Sequence, residues 1–159
     1  FFYPNLQNDM WRIFGLLFFH DKEHFLLPGK KAFHKEALVK FLTEKGIALY
    51  DTATSVRRLQ DNASDKFLEV IEPTDIRLLL KQLPHCQTIV TTGQKATDII
   101  RSLIEVKEPA VGKSCPFEFE DRNLLLYRMP SSSRAYPLAL EKKADFYRLM
   151  LNELGILQE

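Results

Sequence analysis

Apolar residues recur along the chain at two spacings, and the alternation between them carries most of the structural information. Met10, Ile13, Phe14, Leu17 and Phe18 follow i, i+3, i+4, i+7, i+8 and predict one face of an α-helix. Asn5 or Asn8 is placed to cap its start, because a short amide oxygen accepts backbone N–H groups that a first turn leaves unpaired. A second helix is expected from about Phe33 to Glu44, with Leu38, Phe41 and Leu42 inward. Lys45-Gly46 ends it with a basic last turn and a glycine able to take the left-handed cap. Residues 46–51 then read as a short buried strand finishing in an acid, Asp51.

Past Pro73-Thr74 helical spacing returns in Ile76, Leu79, Leu80 and Leu83. Thr88 to Thr91 is a β-branched run that predicts a strand, and Thr92-Gly93 turns it into a helix with Ala96, Ile99, Ile100 and Leu103 inward. Residues 105–116 read as a loop. Phe117-Glu118-Phe119 alternates like a half-exposed strand, and Asn123 to Arg128 forms another around Leu124, Leu125, Leu126 and Tyr127. That strand runs into Met129-Pro130-Ser131-Ser132-Ser133-Arg134, followed by a helix from about Leu138 to Leu154 repeating Leu140, Ala144, Tyr147, Leu151 and Leu154. Strands alternating with helices imply an α/β fold with a parallel or mostly parallel sheet and helices on both faces. Ligands of such sheets sit at the carboxyl ends of the strands. Asp51, the Thr91-Thr92-Gly93 turn and the Pro130–Ser133 loop all fall there.

Composition narrows the class without naming a function. The 159 residues are 45% hydrophobic and 27% charged, which suits a single folded domain over residues 1–159. The richest apolar stretch, Ile13 to Phe19, is too short to cross a membrane and contains Gly15. Cys86 and Cys115 form neither a CxxC pair nor an iron–sulfur ligand set, and fit a reducing cytoplasm. A net charge of +1 gives no overall field for nucleic acid, so any phosphate binding must come from local clusters. The opening Phe1-Phe2-Tyr3-Pro4 has neither Met nor the basic start of a signal peptide, and predicts a segment upstream of Phe1.

Two clusters have a chemistry of their own. Phe1, Phe2 and Tyr3 stand ahead of Asn5, Asn8 and Trp11. Rings beside amides at a helix start suit a nucleobase, the ring stacking on its face and the amide reading its edge. The same residues also suit a packing segment with a helix cap. The second cluster is Pro130, Ser131, Ser132, Ser133 and Arg134. Hydroxyls and N–H groups near a helix start bind phosphate, with Arg134 adding a charge-assisted donor, although an ordinary serine-rich turn has the same composition. Asp51 would position a water or accept backbone N–H bonds at a turn. His20 and His24 have a helical metal-ligand spacing but no third ligand, so no metal is expected. His34 and His85 carry no nucleophile motif, and Gly93-Gln94-Lys95 is too short for a phosphate-binding glycine loop. Lys30-Lys31 and Arg57-Arg58 are candidate DNA-backbone contacts or plain surface.

Taken in order, these pieces resemble the uracil-DNA glycosylase superfamily, in particular its mismatch-specific and hypoxanthine-excising branches. The matching stretches are Phe1-Phe2-Tyr3-Pro4 with Asn8 and Trp11, Gly46 through Asp51, Ile89 through Ala96, and Leu126 through Arg134 with the final helix. The resemblance implies a three-layer α/β/α fold around a mostly parallel four-stranded sheet. It implies a monomeric, cofactor-free, monofunctional enzyme in the cytoplasm, associated with the nucleoid and with double-stranded DNA. That enzyme flips a deaminated or mismatched base, uracil first, and hydrolyses its N-glycosidic bond in base-excision repair. Phe1 or Phe2 would stack on the base, with Tyr3 and Asn8 beside it, and Pro130 to Arg134 would hold phosphates and fill the gap in the duplex.

Two departures qualify this. The family's glycine- and proline-rich first motif, which supplies the water-activating residue, has no counterpart and would lie upstream of Phe1. The second loop carries Ser132 and Ser133 where the strongest uracil enzymes place a His. A hypoxanthine or xanthine enzyme, a non-catalytic DNA- or nucleotide-binding homologue, and a plain doubly wound nucleotide module therefore stay open.

Overall fold

The helix predicted at Met10 is α1, Met10–Phe19, in the computed structural model, which describes residues 2–50, 53–58, 68–73 and 75–158. The chain divides into two compact units, one made of Phe1–Tyr50 with Ser132–Glu159 and the other of Asp51–Ser131.

In the first unit α1 is buried on nearly every side, as a helix apolar all round must be. It stops where His20 turns left-handed at φ 56°, its N–H donating to the Leu16 carbonyl and that of Asp21 to the Gly15 carbonyl. Gly15 is required by close packing: a Cβ there would stand 2.5 Å from the backbone oxygen of Asp21. The second helix, α2, covers Lys35–Lys45 and starts with the His34 ring accepting the Ala37 N–H at 3.0 Å. Gly46, at φ 70°, closes it, and the Ile47 N–H bonds to the Leu42 carbonyl. The long helix α5, Leu140–Glu153, turns Lys143, Ala144, Tyr147, Met150 and Leu151 inward and packs on α1. Rings fill the core between them: Phe14 lies 6.0 Å from Phe41 and 6.4 Å from Tyr147, and Phe25 lies 5.3 Å from Phe41. Each large side chain so buried contributes about 1.5–3 kcal/mol.

The second unit holds β1, Ala53–Arg58, paired antiparallel with β2, Leu68–Pro73, as a two-stranded sheet. Next come α3, Ile76–Gln82, β3, Thr88–Thr92, and α4, Gln94–Leu103. The Asp75 carboxylate caps α3 by accepting the Leu78 N–H. Two further strands, β4 at Ser114–Phe119 and β5 at Arg122–Met129, complete a three-stranded sheet in the order β3-β5-β4. Leu80, Ile100, Ile104, Phe117, Phe119, Leu124 and Leu126 form its core.

The expected mostly parallel four-stranded sheet is therefore not what the chain forms. Among the described strands the larger sheet has three, one pair parallel (β3 with β5) and one antiparallel (β4 with β5). The reason is the connection. Parallel neighbours need a crossover of a dozen or more residues, which α4 and the following loop supply between β3 and β5. Only Glu120-Asp121 separates β4 from β5, and Glu120 at φ 52° makes the tight reversal of a hairpin. The strand expected at 46–51 is also absent from its described part: residues 47–50 are irregular and half-buried or exposed. The Ile47 N–H is already spent on closing α2. Asp51 lies outside the described residues.

Candidate functional site

Segments far apart in sequence meet within the first unit. Asn8 and Ser133 form an antiparallel bridge. The Asp9 N–H donates to the Ser132 carbonyl at 2.7 Å, and the Arg134 N–H donates to the Gln7 carbonyl at 2.9 Å. The local conformation that makes this possible is held by amides: Asn5 Oδ1 accepts the Gln7 N–H at 2.8 Å and Asn8 Oδ1 accepts the Met10 N–H at 2.9 Å. Asn8 thus caps the start of α1 from one residue before the helix boundary at Asp9.

Asp9 is the electrostatic centre of this junction. Its Oδ1 faces Arg134 Nε at 3.1 Å and Arg12 Nη1 at 3.5 Å, and its Oδ2 faces Lys143 Nζ at 3.2 Å. Lys143 Nζ also donates to the Ser133 carbonyl at 2.9 Å. Side-chain exposure is 7% for Asp9, 1% for Lys143 and 48% for Arg134, so the cluster is buried at its root and open at Arg134. Arg12 donates in addition to the carbonyls of Leu6 and Asn8. Burial holds its pKa below the usual arginine value, and the neighbouring charge of Arg134 adds to that.

The aromatic residues of the opening segment are used in two ways. Trp11 is 1% exposed and donates its indole N–H to the Phe2 carbonyl at 3.1 Å. Tyr3 packs edge-on against Trp11 at 5.9 Å and sits at φ 53°, a left-handed conformation that costs a non-glycine residue about 1–3 kcal/mol. Phe2 is half-buried with its ring 6.2 Å from Tyr50. Phe1 lies outside the described residues. A cavity of about 470 Å³ in this unit is lined by Phe18, Glu44, Lys45 and the turn at 155–158, and by none of the residues singled out as base-binding.

Beneath Tyr3 lies a group that sequence patterning shows only as a core position. The Tyr147 hydroxyl is fully buried without a hydrogen-bond partner among the described residues. Burial pushes its pKa well above the ordinary value, and Tyr3 adds to the shift. An unpaired buried hydroxyl costs about 1–3 kcal/mol, so Tyr147→Phe is expected to stabilise the fold by about 1 kcal/mol in urea titration. The unfolded Tyr147 loses its proton near pH 10 while the native one keeps it, so it makes native stability fall as pH rises above about 10. Tyr147→Phe should flatten that alkaline limb; an unchanged limb would contradict the burial.

In the second unit, the parallel register sets Thr92 beside Met129, and the Gly93 N–H donates to the Met129 carbonyl at 2.9 Å. The Thr91-Thr92-Gly93 turn and the start of the serine loop thus share one strand end. The Thr91 and Thr97 hydroxyls are 2.8 Å apart, and Thr97 donates to the Gly93 carbonyl. Gly93 adopts φ 89°, ψ 169°, essentially reserved for glycine, and a Cβ there would meet Ser131 at 3.4 Å. Pro130 is buried in this unit, whereas Arg128 is tied down by Gln94, by Glu108 at 3.5 Å and by the Pro109 carbonyl.

The remaining candidates have local roles. His20 ends α1, and the His24 ring stacks on Phe19 at 3.7 Å. Lys30 pairs with Glu23 at 2.6 Å, and Lys31 is exposed. Arg57 and Arg58 lie in β1. Sequence reading missed Asp9 and Lys143. A signal for Lys143 existed, since it follows Leu140 by three residues and precedes Tyr147 by four, placing a charge on the inward stripe of α5. Comparison with family models, curated proteins and solved structures finds no match to this chain in any of the three. No helix among the described residues is long and apolar enough to cross a membrane.

Proposed function

We propose that the chain is a DNA glycosylase acting on a deaminated or mismatched base, uracil first. One observation carries this reading: the Asn8–Ser133 bridge joins the opening segment to the serine loop, the two stretches whose chemistry suits base and phosphate. Sequence order alone does not require residues so far apart to meet. In the reaction the C1′–N bond breaks with its electron pair going to the base, while water adds to C1′ and gives up a proton. The site contributes grip and orientation. Extruding a base costs a few kcal/mol, least for a mispaired one, and contacts along the strand offset that cost. Among the described residues of the junction the one carboxylate, Asp9, is ringed by three cations, so water activation belongs to another group.

The test is alkali-revealed strand scission of duplexes carrying uracil, hypoxanthine or xanthine after incubation with the purified full-length protein. Scission at uracil is the expected outcome. Scission only at hypoxanthine or xanthine assigns the other specificity. Binding without scission at any of the three overturns the enzymatic reading in favour of a non-catalytic DNA-binding protein.

A further inference from the structure

Arg134 is anchored by its inner nitrogen alone. Its Nε is held by Asp9 at 3.1 Å, while its terminal amino groups have no partner among the described residues and the side chain is 48% exposed. A guanidinium fixed in this way presents a planar pair of N–H donors, the geometry that takes two oxygens of a phosphate. The charge balance favours an anion: one carboxylate against three cations leaves a surplus of two positive charges at the junction.

We propose that Asp9 and Lys143 are positioning residues that hold Arg134 as a preset fork for one phosphodiester group of the bound strand. The inference rests on the reading of the serine loop as the element that grips DNA. Lys143 is 1% exposed and cannot itself reach a strand. It acts through what it holds: the second oxygen of Asp9 and the carbonyl of Ser133. With the Asp9 N–H on Ser132 and the Gln7 carbonyl on Arg134, three consecutive loop residues are pinned from one side. The carboxylate that orients Arg134 is therefore itself oriented, and the fork is set before DNA arrives. Preorganisation of this kind raises affinity by removing an ordering cost, not by adding a contact.

The experiment is a double-mutant cycle read by fluorescence anisotropy, using a short duplex with one G·U mismatch over a range of NaCl concentrations. Arg134→Ala should weaken binding about tenfold and make the slope of log affinity against log salt shallower by about 0.9, the signature of one lost phosphate contact. Asp9→Asn, which keeps one acceptor oxygen and turns the other into an NH2 group unable to accept from a cation, should weaken binding several-fold in the parent chain and have no effect once Arg134 is Ala. If Asp9→Asn weakens binding equally in both backgrounds, or tightens it, the positioning role is overturned. If Arg134→Ala changes neither affinity nor slope, the strand-gripping reading itself fails, independently of Asp9. Should Asp9→Asn lose its cooperative melt, Asp9→Glu keeps the charge, displaces the carboxylate by one methylene and is subject to the same two criteria.

Discussion

Asp9→Ala is expected to lower the free energy of unfolding by about 3–5 kcal/mol, the usual consequence of removing one partner from a buried ion pair. The penalty arises less from the lost attraction than from what stays behind. Lys143, 1% exposed, would keep its ammonium in the interior with the Ser133 carbonyl as its remaining described acceptor. A domain with a total stability of about 5–15 kcal/mol tolerates such a loss poorly. The companion change separates the two contributions. Adding Lys143→Met to Asp9→Ala removes the stranded charge and fills its volume with an apolar chain, so most of the loss should return. Urea titrations of the parent, both single variants and the double variant measure this directly. Strictly additive losses would mean that the pair is not coupled and that the junction is held by its main-chain bonds.

A loss of similar size, about 3–5 kcal/mol, is expected for Trp11→Ala. The indole is 1% exposed, stands 5.8 Å from the Phe14 ring and holds the Phe2 carbonyl through its N–H. Its removal opens a cavity in the ring cluster and releases the opening segment. Trp11→Phe keeps most of the apolar contact and loses the bond to Phe2, so it should cost less than half as much. These values distinguish a core role from a base-stacking one. A tryptophan that stacked on nucleobases would lose DNA affinity on substitution while thermal stability stayed near the parent value.

Local periodicity made much of the fold legible. The apolar spacing of α1, the β-branched run of β3 and the Gly46 stop each describe what their own neighbours do, and the structure has them there. Pairing was harder to read. The backbone of Val56 is registered opposite that of Val70, a pairing that local apolar spacing does not announce, so the β1–β2 sheet is absent from the sequence-based expectation. The direction of β4 is legible in the sequence, since the two residues Glu120 and Asp121 can join only antiparallel neighbours. The site divides in the same way. Ser132, Ser133 and Arg134 draw attention by type, whereas Asp9 resembles any helix-start acid until Lys143 and Arg134 are seen beside it. No pattern within a ten-residue window reports a bond between positions 134 residues apart.

That separation governs when the junction can exist. Asp9 leaves the ribosome 134 residues ahead of its buried counter-charge, which arrives only with α5. Until then the acid remains in water and the arginine fork has no fixed aim. A prematurely terminated chain lacking α5 would carry the opening aromatic residues without the buried counter-charge that fixes Asp9 beside the serine loop.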